Sequence, residues 1–134
     1  MNELSITIPG TPLAKKRPRF ARRGKFVTTY NSQETEEGKF IQIMMSQLHG
    51  HQPIPAGTPI AMEIAFHLPF PASMSAKKRK DAYHTKKPDL DNLLKFFKDC
   101  ANGVLWHDDS QVMGIKAGKI YADVPKTIAI VRWV

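Results

Sequence analysis

The sequence predicts one mixed α/β domain, an α+β arrangement in which two main helices cover one face of a four-stranded mixed sheet. Three observations predict it. Apolar residues alternate in Glu3–Ile8 and Ile60–Leu68, the period of a half-buried strand. After Pro88 they recur in steps of three and four, the period of an amphipathic helix. The segments follow the order strand, helix, strand, short helix, helix, strand, strand, which suits a layer of helices on a sheet. The chain of 134 residues is read as a single domain, 1–134, large enough to bury a core.

In the first strand Leu4, Ile6 and Ile8 share one side, with Ser5 and Thr7 on the other. Pro9-Gly10-Thr11-Pro12 ends it. The basic segment Lys15–Lys25 contains Pro18 and Gly24 and reads as a loop, with Phe20 and Phe26 as anchors or base-stacking residues. Ser32 begins a helix, with Glu34, Thr35 and Glu36 as cap and dipole chemistry. Phe40, Ile41, Met44, Met45 and Leu48 form its apolar face. His49-Gly50-His51 closes that helix; without a third ligand nearby, His-x-His reads as a polar terminus. In the second strand Ile60, Met62, Ile64, Phe66 and Leu68 face the core. Pro69 and Pro71 break it, and Ser73 or Ser75 caps a short basic helix over Ala76–Tyr83. Val112–Tyr121 and Thr127–Val134 are the last two strands, joined through Asp123-Val124-Pro125.

Composition narrows the function. Apolar residues make up 42% of the chain and mean hydropathy is -0.34, values of a soluble globular protein. There is no signal-peptide h-region and no apolar run long enough to span a bilayer. The single cysteine, Cys100, excludes an internal disulfide and a cysteine zinc cluster, and it falls on an apolar stripe. A cytoplasmic location and no membrane partner are expected. The formal charge is +8, and 13 of the 20 Lys and Arg residues fall in two runs. Lys15, Lys16, Arg17, Arg19, Arg22, Arg23 and Lys25 form the first, which contains no acid. Lys77, Lys78, Arg79, Lys80, Lys86 and Lys87 form the second. Such clustering is the footprint of a polyanion partner. Lys15, Lys16, Arg17, Arg19, Arg22, Arg23, Lys86 and Lys87 are the candidate DNA contacts.

Against that charge stand two tight acidic pairs, Asp89-x-Asp91 and Asp108-Asp109, in the stretch Lys86–Val112. Self-repulsion disfavours gathering them, whereas a bound divalent cation reverses that, and hard oxygen ligands suit Mg²⁺. Pro88 marks a helix boundary. Leu90, Leu93, Leu94, Phe97, Cys100, Ala101 and Val104 then form one stripe, and Asn102-Gly103 stops the helix. Residues i and i+2 lie about 200° apart on a helix. Asp89 is therefore expected at or before the N-cap and Asp91 in the first turn, with Lys95 one turn on from Asp91. Taken singly, each pair also reads as an ordinary cap or turn.

The ordered pattern P-D-x-D-N-L-x-K, followed across one helix by W-x-D-D-x-Q-V, resembles the signature of the RusA family. These are Holliday junction resolvases, crossover junction endodeoxyribonucleases often carried by phages and prophages. Lys15, Arg17, Pro18, Arg19 and Phe20, followed by Thr29-Tyr30, extend the likeness toward the N-terminus. The resemblance implies metal-binding carboxylates at Asp89, Asp91 and Asp109, with Asp108 as the alternative to Asp109. It implies a catalytic lysine at Lys95, Mg²⁺ as cofactor and four-way junction DNA as partner, in recombination and repair. Resolution needs two symmetric nicks, and the chain carries one carboxylate set, so a homodimer is expected. Ile60–Leu68 and the final strands are its candidate interface. The competing reading is a non-catalytic basic nucleic-acid-binding module in which the acids only cap helices. A phage adaptor acting through protein contacts is a third.

Overall fold

The computed structural model describes residues 1–17, 19–30 and 33–134; within 19–30, side-chain placement is described only at positions 22, 24, 25 and 27. The elements in chain order are β1 (Asn2–Pro9), β2 (Arg19–Arg23), β3 (Phe26–Tyr30), α1 (Glu34–Ser46), β4 (Ile60–Leu68), α2 (Ala76–Arg79), α3 (Leu90–Ala101), β5 (Val112–Tyr121) and β6 (Lys126–Trp133). A 3-10 turn, Asp109–Gln111, precedes β5.

The main sheet has the order β1-β6-β4-β5. Strand β6 is antiparallel to both β1 and β4, while β4 and β5 run parallel. A parallel pair cannot be closed by a tight turn and needs a long crossover. Residues 69–111 supply it, and α3 is its main helix. Strands β5 and β6 are consecutive in sequence but are not neighbours, because β4 lies between them. Strand β4 is therefore interior and cannot offer an edge to a partner, as its candidate role at a dimer interface would have allowed. Only its solvent face is open.

Alternation in β4 translates directly into burial: Ile60, Met62, Ile64, Phe66 and Leu68 are all buried. Ile6 and Ile8 of β1 and Ala129 and Val131 of β6 join the same core. Helix α1 adds Phe40 and Met44; α3 adds Leu93, Phe96, Phe97, Cys100 and Ala101. Phe40 meets Phe96 and Phe97 edge-on, with ring centroids 5.2 and 6.1 Å apart. Burying a phenylalanine contributes about 1.5–3 kcal/mol, against about 0–1 for an exposed ion pair, so these rings dominate the α1–α3 contact.

Several expectations are corrected. The basic segment Lys15–Lys25, read as a loop, holds β2 and the turn of the β2–β3 hairpin, a two-stranded sheet apart from the main one. Gly24, at φ 61°, opens its two-residue turn. A ribbon outside the main sheet carries no apolar alternation to betray it. The cap assigned to Ser32, and Pro18, lie outside the described residues, as do the side chains of Phe20 and Phe26. Met45, placed on the apolar face of α1, is 57% exposed, while Phe96, left off the α3 stripe, is 1% exposed. The short basic helix stops at Arg79, with Ser75 as its cap. Gln47, at the end of α1, exchanges hydrogen bonds with the Thr7 amide (2.7 Å) and carbonyl, satisfying part of the free edge of β1.

Candidate active site

Helix α3 begins where Pro88 predicts. Asp89 is its N-cap, with extended backbone (φ -70°, ψ 143°), and its carbonyl accepts the Leu93 amide at 3.1 Å. Its carboxylate makes no capping hydrogen bond. The ordinary explanation for an Asp before a helix therefore fails at this position. Asp91 sits in the first turn, exposed. Among the described residues no hydrogen bond or ion pair engages either carboxylate. Lys95 is exposed one turn further along and does not close an ion pair with Asp91. Its ammonium is thus not consumed on the helix surface.

The second acidic pair divides its labour. Asp108 caps the 3-10 turn in a capping box: its carboxylate accepts from the Ser110 amide at 3.0 Å, and Gln111 Oε1 accepts from the Asp108 amide at 2.8 Å. The Ser110 hydroxyl and then its amide, both donating to Asp108, hold that carboxyl below its ordinary value. Asp109 points elsewhere. Its Oδ1 accepts from the indole Nε1 of fully buried Trp106 at 2.7 Å, and its amide donates to Asn102 Oδ1 at 3.1 Å. Trp106 is itself pinned. Ile54 exchanges backbone bonds with the residues on either side of Trp106, donating to Leu105 O at 2.9 Å and accepting from the His107 amide at 3.1 Å. Gln111 Nε2 ties the following turn to the Pro55 and Thr58 carbonyls at 2.7 and 3.1 Å. The Trp and Gln of the W-x-D-D-x-Q pattern are thus the parts that orient Asp109. In the sequence the one sign of these roles is their spacing from the acidic pair.

Asp91, Lys95 and Asp109 line one open concavity of about 320 Å³, together with Leu94, Lys98 and Asp99. Asp89 is not on its wall. Among the described residues, no three His, Cys, Asp or Glu side chains gather closely enough to hold one ion. Of the three expected carboxylates, Asp91 and Asp109 line this concavity, and Asp89 stands at the helix end outside it. That donor set fits Mg²⁺, which commonly takes one or two carboxylates and completes its shell with waters and substrate phosphate.

Next to it lies a second concavity of about 200 Å³, lined by Lys15, Lys16, Arg17, Asn92 and Lys95. Lys95 belongs to both. Its other wall is held in place by backbone docking. The Lys15 amide donates to Asn92 O at 2.9 Å, and buried Gln33 receives the Lys16 amide (2.6 Å) while donating to Ala14 O (2.8 Å). Gln33 is another residue the sequence did not flag. Within this wall the candidate cations differ. Lys15 Nζ sits 2.9 Å from Glu37 and 3.0 Å from Asp99, so its charge is matched inside the protein. Lys16, 60% exposed, has among the described residues one ion pair, with half-buried Glu36 at 3.5 Å. Arg22, Lys86 and Lys87 are exposed; the side chains of Arg19 and Arg23 lie outside the described residues. Arg79, from the second basic run, is turned inward over the Phe70 ring at 5.0 Å and donates to Met74 O.

Comparison with known proteins gives two findings. Residues 9–132 match the family model described as endodeoxyribonuclease RusA. The chain is 31% identical over 139 residues to the uncharacterized protein YqaN of Bacillus subtilis (strain 168), covering 98% of this chain and 97% of that protein.

Proposed function

The chain belongs to the RusA endodeoxyribonuclease family, and from that premise we propose that it is a Mg²⁺-dependent nuclease that resolves four-way DNA junctions by paired nicks. One observation carries the reading: Lys95 stands on the shared wall of an acidic and a cationic concavity. Hydrolysis of a phosphodiester needs both environments at one phosphorus. Asp91 and Asp109, with Asp89 at the helix end, would hold the ion. When bound there, Mg²⁺ supplies a water of lowered pKa and neutralises phosphate charge.

The chain's own residues do the rest. Lys95 donates to a non-bridging oxygen of the scissile phosphate and offsets the charge that grows in the transition state. Lys16 and Arg17 hold the neighbouring phosphate, so the strand lies across the mouth of the acidic concavity. The Trp106 indole occupies Asp109 Oδ1 and leaves Oδ2 without a hydrogen bond among the described residues, which constrains the carboxylate. Capping removes Asp108 from the chemistry, which supports Asp109 as the functional member of that pair. One such set per chain and two symmetric nicks per junction call for a homodimer. The solvent face of the sheet, with Glu63, Ala65, Lys116, Ile128 and Ile130 around a shallow concavity, is a candidate surface for it.

The test compares a mobile four-way junction, a flap, a fork and linear duplex in Mg²⁺, with wild type and Asp91→Asn. Wild type should cut the junction preferentially. Asp91→Asn should bind it in metal-free buffer with unchanged or slightly higher affinity, because a repelling charge is gone, yet cut it slower by orders of magnitude. Folded wild-type protein that binds junctions and cuts none supports the binding-module reading instead.

A further inference from the structure

A lysine outside both basic runs reaches the acidic end of α3. Lys119 lies in β5, paired across to buried Phe66, on the sheet face that the helices cover. Its ammonium donates to the carbonyls of Lys86 at 2.6 Å and Pro88 at 2.8 Å. No carboxylate pairs with it among the described residues. These two carbonyls bracket Lys87-Pro88, and the second belongs to the peptide that leads into Asp89. Holding it fixes the plane from which the Asp89 backbone departs. The Asp89 carboxylate has no hydrogen bond of its own to set its direction. Where that carboxylate starts from is therefore set by the backbone, which Lys119 ties at two carbonyls.

A cation beside a helix N-terminus is placed against the helix dipole. A neutral donor would stitch the same carbonyls without that cost. We propose that Lys119 is a positioning residue, which holds the Lys86–Asp89 segment so that the Asp89 carboxylate can join Asp91 and Asp109 on an ion, and which offsets the repulsion between carboxylates that meet there. The proposal rests on the nuclease reading above. It assigns Lys119 no contact with the reacting atoms; it acts through the Lys86–Asp89 segment.

Electrostatics makes the test sharp, because the two effects of removing Lys119 on metal affinity have opposite signs. Loss of a nearby positive charge alone would tighten binding of a divalent cation. Loss of positioning weakens it, by about 10–100-fold where outer partners orient ligands. Mn²⁺ is titrated into wild type, Lys119→Met and Lys119→Arg without DNA, with free ion read by electron paramagnetic resonance and folding by circular dichroism. The expected result is at least about tenfold weaker Mn²⁺ binding in Lys119→Met, with partial recovery in Lys119→Arg, which keeps charge and donors. Junction affinity in metal-free buffer should change less than about threefold, since one of many cations is lost. Mn²⁺ binding in folded Lys119→Met as tight as in wild type, or tighter, overturns the proposal. Should Lys119→Met not fold, Lys119→Gln, which keeps a single donor, is judged by the same two outcomes. A wild type that binds no Mn²⁺ overturns both the metal reading and this one. A wild type that binds Mn²⁺ but cuts no branched DNA removes the nuclease reading alone, and Lys119 is still judged by the affinities.

Discussion

Lys15 heads the first basic run, yet it is built into the protein, and Lys15→Met separates the two roles. Methionine keeps the apolar stem and removes the charge. The ammonium bridges Glu37 of α1 and Asp99 of α3 at 2.9 and 3.0 Å, and it is only 21% exposed. Exposed ion pairs contribute about 0–1 kcal/mol, and well-buried hydrogen bonds to charged groups about 1.5–3. A doubly bonded but partly open site falls between them, so the loss should be about 1–2 kcal/mol. For a domain of this size that lowers the melting temperature by roughly 3–10 °C. The pH dependence has a definite sign. Burial by itself would lower the Lys15 pKa, but Glu37 and Asp99 outweigh it and raise it above 10.5. Stability from a raised pKa is complete below the unfolded value and is lost as pH climbs through the folded one. The gap between wild type and Lys15→Met should therefore hold from neutrality up to about pH 10.5 and close above it. Thermal melts across that range measure it. Junction binding by fluorescence anisotropy against salt provides the contrast: a phosphate contact would cost about 0.9 in the log–log slope, and an internal ion pair costs nothing. An unchanged melting temperature with a shallower slope would refute the structural role.

Three further predictions follow from the same geometry. Trp106→Phe removes the donor to Asp109 and leaves a small void, so stability should fall by about 2–4 kcal/mol. Cleavage in the folded variant should drop about tenfold as Asp109 loses its orientation; single-turnover rates at wild-type level would show that the indole bond is irrelevant to chemistry. Asp108→Ala should lower the melting temperature at neutral pH without slowing cleavage comparably. Because the Asp108 pKa is lowered, that difference should persist above pH 3.8 and vanish as pH falls through the lower folded value. Burial first, then Glu37 and Asp99, push the Cys100 thiol up to about 12. A disulfide reagent at pH 8 should therefore modify native protein only as fast as it unfolds, and immediate stoichiometric labelling would contradict that environment.

Patterns of local period were legible in the chain itself. Ile60–Leu68 reads as a strand because every second residue is apolar, and that alternation survives wherever one face is buried. Pro88, the three-and-four spacing behind it and Asn102-Gly103 bounded α3 because backbone sterics and capping act over a few residues. The density of Asp, Lys, Trp and Gln in Lys86–Val112 marked the candidate site for the same reason: one helix and one turn carry nearly all of it. What the sequence did not carry was set by partners distant along the chain. That β4 lies between β5 and β6 is a choice of neighbours, invisible to the alternation of any single strand. The arginine-rich hairpin shows no apolar alternation in its sequence to mark its strands. Asp89 and Asp108 look alike as acids preceding helical turns, but only the folded structure shows one carboxylate without a capping bond and the other bound to Ser110. Lys15 and Lys16 are adjacent and chemically identical; packing of α1 against α3 turns one inward to Glu37 and Asp99 and leaves the other facing solvent. Lys119 stands 30 residues beyond Asp89, and only the parallel crossover brings its ammonium under the carbonyl that precedes that carboxylate. Sequence determines which groups are present and their local conformation; tertiary packing decides which charges are satisfied within the protein and which stay available for a ligand.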